Sequence, residues 1–225
     1  MKLTDITAVI FDMDGVIFDT ERVYLESCVE AAAELNLGDI RELCISCIGI
    51  TAEMTKNRFR QVITNEELCN RFWELSKFIT REKLSHGMPI KEGAENLLSM
   101  LYKRNIPIAL ASSTTTRTVT AELTSVDLLR YFTIIVGGDM VNNSKPDPEI
   151  FLKAADMLGA EPEKCLVLED SKNGIRAAKA AGMKAIMIPD LIPPDDEMKE
   201  KADLTADSLN DVISYLMAET ITFSV

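Results

Sequence analysis

Five short apolar runs, at residues 8–12, 107–112, 133–137, 165–169 and 184–188, punctuate the chain. They are rich in β-branched residues and lack the polar alternation of a half-exposed strand. Between them lie segments with apolar positions at helical spacing, at 91–104, 116–124, 148–158 and 172–181. Near-continuous apolar strands separated by helices predict a parallel sheet covered on both faces. Ser171 suits a helix N-cap, and Gly182 follows Ala181 as a C-terminal stop.

One stretch breaks the alternation. From about 20 to 83 only helical periodicity is found, at 22–35, 52–62 and 66–83. The expected fold class is therefore α/β: a Rossmann-like parallel sheet core, with a helical-bundle cap inserted after the first strand. The expected domains are 1–17 with 88–225 for the core and 18–87 for the cap, hinged near 16–20 and 86–89. The tail at 219–225 reads as loosely held.

Composition narrows the function. A net charge of −12 argues against a nucleic-acid partner, which needs a basic stripe. No apolar run approaches membrane-span length, and the first residues do not resemble a signal peptide, so a cytoplasmic protein is expected. Five cysteines (Cys28, Cys44, Cys47, Cys69 and Cys165) form no regular framework and read as reduced thiols. Cys44 and Cys47 match a two-residue redox or metal spacing, but no second pair supports it. The single histidine, His86, sits in a turn-like stretch, so a histidine-centred mechanism is disfavoured. Carboxylates and a metal are left to carry the chemistry.

Four strand ends supply them. Phe11-Asp12-Met13-Asp14-Gly15-Val16 places two acids two residues apart, so both can face one site while Met13 turns away. Gly15 lets the chain turn sharply. The competing reading is a solvated acidic turn. Glu169 and Asp170 close the run 165–169 and offer hard oxygen ligands suited to magnesium. Alternation along a strand predicts that only one of them is a direct ligand, and Asp170 could instead cap the following helix. Lys145, in Asn143-Ser144-Lys145-Pro146-Asp147-Pro148, is stiffened by prolines just ahead of a helix, a place that suits an anion. Ser112, Ser113 and Thr114 end the second run with hydroxyls and N–H groups able to hold phosphoryl oxygens. In an open parallel sheet, ligands bind at this carboxyl edge.

These motifs, in this order, resemble the haloacid dehalogenase superfamily, in the subgroup with a helical cap that includes β-phosphoglucomutase-like phosphatases. The resemblance spans essentially the whole chain. It implies that Asp12 attacks phosphorus to form an aspartyl-phosphate, while Asp14 acts as acid and then base. It implies Mg2+ held by Asp12, the backbone carbonyl of Asp14 and Asp170, with Glu169 direct or through water. Lys145 and Ser112 would orient the phosphoryl oxygens, helped by the backbone near Met13 and Ser113. The partner implied is a small phosphorylated metabolite, possibly of the sugar class, hydrolysed as a phosphatase substrate.

Two departures count against mutase activity. The histidine of the mutase cap is replaced by Tyr24, and the cap arginine falls where this chain reads Gly49-Ile50-Thr51-Ala52. Tyr24, Thr51 and Glu53 are the candidate substrate readers. A hexose-phosphate mutase and a non-catalytic phosphate-binding protein remain the alternatives. A phosphonate hydrolase would need a Schiff-base lysine, and Lys56, Lys77 and Lys83 lack a favouring context. The substrate and the oligomeric state stay open.

Overall fold

The computed structural model describes residues 6–48 and 52–218. The chain forms two compact units, Met1–Phe18 with Ile90–Val225, and Asp19–Pro89. Phe18 belongs with the first unit because its backbone bridges both Asp14 and Ile90.

The larger unit is built on six parallel strands: β1 (Ala8–Phe11), β2 (Ile108–Ser112), β3 (Ile134–Gly137), β4 (Cys165–Glu169), β5 (Lys184–Met187) and β6 (Leu204–Thr205). Their order is β3-β2-β1-β4-β5-β6. The first strand of the sequence thus lies in the middle, with crossovers leaving in both directions. Such an order creates a crevice at the carboxyl edge beside β1. Register places Phe11 opposite both Leu110 and Leu168, so Asp12 follows the sheet's central rung.

Both sheet faces are buried, which is why the strands read as unbroken apolar runs. On one face Ala8, Ile10, Ala109, Ala111, Val167 and Ala185 pack beneath α7 (Glu149–Leu158) and α8 (Lys172–Ala180). Phe151 of α7 is fully buried there. Truncation to alanine at such a position costs about 3–5 kcal/mol. The alternate residues Val9, Phe11, Leu110, Leu166 and Leu168 are equally buried, and Phe11 meets Phe132 edge-on at 6.2 Å. Two more helices of this unit, α5 (Ala94–Lys103) and α10 (Leu209–Ala218), pack together, and α6 (Thr116–Ser125) lies against β3.

Local chemistry sets the helix starts. Ser171 caps α8 by accepting from the Gly174 N–H, so capping is not the task of Asp170. The periodicity at 91–104 shrinks to 94–103 because Lys91 donates its N–H to the Ile17 carbonyl and Gly93 turns the chain at φ 85°.

The smaller unit holds α1 (Thr20–Glu34), α2 (Arg41–Ser46), α3 (Ala52–Val62) and α4 (Glu66–Ser85). Asn65 caps α4 by accepting from the Leu68 N–H. Phe59, Phe72 and Trp73 form its aromatic centre, with ring centroids 4.7–5.2 Å apart. Helix α1 packs along α4. The Lys83–Glu30 ion pair between them is too exposed to add much.

Candidate active site

Asp12 stands one residue beyond β1. Its N–H donates to the Leu168 carbonyl at 2.9 Å, as though the strand continued. The residue is buried, 7% exposed, and its Oδ1 accepts from Lys145 Nζ at 2.5 Å. Lys145 also donates to Glu169 Oε1 at 2.7 Å and to the Ala111 carbonyl at 3.3 Å. The ammonium thus joins the ends of β1, β2 and β4, and lies 4.9 Å from the centre of the Phe151 ring.

Burial raises the Asp12 carboxyl, Lys145 opposes the rise, and Glu169 and Asp14 add to it, leaving the group at about 8. Burial alone would lower Lys145, yet the charges of Asp12 and then Glu169 hold it up, so it stays an ammonium.

Glu169, 1% exposed, is fixed at both oxygens: Oε1 by Lys145, Oε2 by the Ser171 N–H at 2.6 Å. The space it fills exists because residue 174 is glycine. A β-carbon at Gly174 would lie 1.7 Å from Glu169 Oε1. A similar constraint acts at Gly15, whose φ is +77° and where a β-carbon would lie 2.2 Å from Asp170 Oδ2. Asp12, Glu169 and Asp170 each offer a carboxylate oxygen, all within 4.8 Å of one another. Alternation predicts that Glu169 and Asp170 diverge. They converge because β4 ends at Glu169 and Asp170 lies beyond the strand, where alternation no longer holds.

The Asp14 carboxylate is not in that trio. It follows buried Met13, in a turn closed by Ile17 N–H to the Met13 carbonyl at 2.8 Å. Its charge still contributes to the upward shift of Asp12 and, after burial, of Glu122.

Ser112, buried at the end of β2, accepts at its Oγ from the Thr114 N–H at 3.0 Å. Its hydroxyl hydrogen is then directed elsewhere. The Thr114 carbonyl accepts from the Gly138 N–H at 2.9 Å, and Ser113 is exposed. These residues and Lys145 all belong to the larger unit.

Of the candidate readers, Thr51 lies outside the described residues. Tyr24 is on α1 of the smaller unit. Partial burial of this residue, which is 39% exposed, and then the Cys28 thiol hydrogen-bonded to it, raise its phenol above the usual tyrosine range.

Several supporting residues escape sequence reasoning. Glu149 accepts from the N–H groups of Asn142 and Asn143 at 2.9 and 2.8 Å, and from both side-chain amides. It thereby pins the loop that carries Lys145. Those backbone bonds keep its carboxyl below the usual range. Asp139 accepts from the Thr116 N–H and hydroxyl, which ties the start of α6 to the turn after β3. The acid that opens an apolar helix at Glu149 is a legible signal, since acids favour helix N-termini; Gly174 and Asp139 leave none.

The haloacid dehalogenase-like hydrolase family model matches residues 9–188. A phosphorylated carbohydrates phosphatase of Thermotoga maritima is 36% identical over 179 residues, 80% of this chain and 83% of its own. The β-phosphoglucomutase of Bacillus subtilis is 30% identical over 215 residues, 91% of this chain and 94% of its own. Among solved structures, a β-phosphoglucomutase from Clostridium difficile superposes with a TM-score of 0.71 at 27% identity, covering 95% of this chain and 96% of its own. By sequence and by architecture, the chain belongs to the haloacid dehalogenase-like hydrolases.

Proposed function

We propose that the protein is a Mg2+-dependent phosphatase of a small phosphorylated metabolite, working through an aspartyl-phosphate on Asp12. The observation that carries this reading is the convergence of Asp12, Glu169 and Asp170 within 4.8 Å, with Lys145 shared by two of them. So many acids beside one ammonium suit a hard divalent cation, and all the donors are oxygen. Asp12, the backbone carbonyl of Asp14 and Asp170 would hold Mg2+, with Glu169 direct or through water. When bound, the cation supplies the positive charge that keeps Asp12 ionised and draws charge from the phosphoryl oxygens.

The chain's own residues then divide the work. An Asp12 oxygen forms a bond to phosphorus as the bond from phosphorus to the leaving oxygen breaks. Asp14 gives that oxygen its proton. Next, Asp14 takes a proton from water, whose oxygen attacks phosphorus, releases phosphate and restores Asp12. Lys145 and the hydrogen of Ser112 orient the phosphoryl oxygens, together with N–H groups near Met13 and Ser113. Glu149 keeps the Lys145 loop in place.

A phosphorylated carbohydrate is the favoured substrate class, because a relative of 36% identity is a phosphatase of such compounds. The cytoplasm, where unpaired thiols persist, is the compartment this reading takes. The relation to a β-phosphoglucomutase favours a second reading as a mutase. Hydrolysis is preferred because Tyr24 stands in place of the cap histidine, and a phenol ordinarily holds its proton far more tightly than an imidazolium does. His86 is exposed at the C-terminal end of α4, with Nδ1 2.9 Å from the Glu82 carbonyl.

The test is phosphate release from a panel of sugar, polyol and nucleoside phosphates, with Mg2+ and with chelator. The reading predicts turnover of at least one sugar phosphate that stops on chelation. Equal rates in chelator, or silence across the panel, would count against it.

A further inference from the structure

One more acid reaches the carboxyl edge of the sheet. Beyond β5 the chain runs through Ile188 and Pro189 to Asp190, whose side chain is only 2% exposed. Lys91 Nζ donates to its Oδ1 at 2.6 Å. Its Oδ2 is buried and, among the described residues, has no hydrogen-bond partner. A carboxylate oxygen of Asp190 lies within 4.8 Å of one belonging to Asp170.

These facts belong together. An acceptor buried without a donor is costly, and more so when it is charged. Two carboxylates this close also repel, and Lys91 is the ammonium paired with Asp190. Something carrying donor hydrogens and positive charge on the Asp170 side would satisfy both demands. A hydrated cation has both properties, and Mg2+ usually keeps several of its waters.

We infer that Asp190 is a positioning residue for the cation, a proposal that rests on the magnesium reading above. Its Oδ2 accepts a hydrogen bond from a water bound to the cation that Asp170 holds. Lys91 donates to the other oxygen, which leaves Oδ2 for that water. The ion pair also anchors the loop after β5 to the segment that precedes α5.

Calorimetric titration of Mg2+ into the metal-free protein tests this, alongside the rise in melting temperature that Mg2+ produces. Asp190→Asn keeps the shape but loses the charge, and should weaken binding about 10–100-fold, the usual effect of removing an outer-shell partner. Lys91→Met breaks the same ion pair but removes a positive charge, so its Mg2+ affinity should stay at or above the parent's. Should Asp190→Asn not fold, Asp190→Ser gives the same reading. Unchanged affinity in the Asp190 variant, or equal weakening in both variants, would overturn the proposal and leave the ion pair a structural tie. Asp170→Asn separates the two levels: if it also binds Mg2+ as the parent does, the cation site itself has been misread.

Discussion

Asp12, one residue beyond β1, and Glu169, the last residue of the neighbouring β4, lie at the same level of the sheet and share one cation, Lys145, at 2.5 and 2.7 Å. The register of β1 with β4 sets this relationship, since Phe11 pairs with Leu168 and each acid is the next residue along. The lysine comes from a distant loop and arrives between them with its side chain 8% exposed. Removing it would leave two buried carboxylates facing each other.

Lys145→Met should therefore destabilise the metal-free protein by about 3–5 kcal/mol, the range for breaking a buried ion pair from one side. Mg2+ should recover part of that loss by supplying positive charge nearby. Urea unfolding with and without Mg2+ measures both effects. A variant as stable as the parent in chelator would show that the lysine does not hold the acids together.

Gly174→Ala sets two effects against each other. Alanine in place of a helical glycine gains up to about 1 kcal/mol. The added carbon, however, meets Glu169 Oε1 at 1.7 Å, a carboxylate fixed at both oxygens. Such crowding costs about 1–3 kcal/mol, so net destabilisation with a loss of kcat is expected. Thermal melting and steady-state kinetics check this. A stabilised, fully active variant would mean that Glu169 is free to move.

The upward shift of Asp12 makes a pH prediction for the metal-free protein. Its carboxyl sits at about 8 in the fold, against 3.8 ordinarily, so the folded state binds this proton more tightly than the unfolded chain. That stabilisation is complete below about pH 4 and is lost as pH rises through about 8. In chelator, the urea midpoint of the parent should fall between pH 5 and pH 9 relative to Asp12→Asn. Mg2+ should shrink the difference, because it selects the ionised carboxylate. Parallel pH profiles for the two proteins in chelator would contradict this.

Much of this fold is legible in the sequence because burial on both faces leaves a simple trace. The runs at 8–12 and 165–169 stop at acids, and the fold brings those acids together in the candidate site. The stretch beyond residue 188 is not legible: β6 has two residues, too few for any period, and α9 (Asp196–Lys201) is almost wholly charged. Gly174 reads as an ordinary helical residue until β4 places Glu169 against it. Asp190 is equally silent, because its meaning depends on β5 lying beside β4. Local alternation misleads at Asp170, where the strand has already ended.

Hydrolysis and isomerisation can be separated directly. With β-glucose 1-phosphate and a trace of glucose 1,6-bisphosphate, a phosphatase acting on this substrate releases free phosphate. Rapid glucose 6-phosphate formation with little free phosphate would move the protein to the mutase branch, despite Tyr24.

The central claim is that Asp12 carries the phosphoryl group. Rapid quenching during turnover, followed by borohydride reduction, converts an acyl phosphate on an aspartate into homoserine, which peptide mass spectrometry can locate. The account predicts homoserine at residue 12 alone, dependent on substrate and Mg2+. It also predicts none in Asp12→Asn, whose kcat should fall by about 10⁴-fold or more, as when other catalytic nucleophiles are removed. Brisk phosphate release with residue 12 unmodified at every quench time, or with Asp12→Asn still turning over substantially, would contradict it.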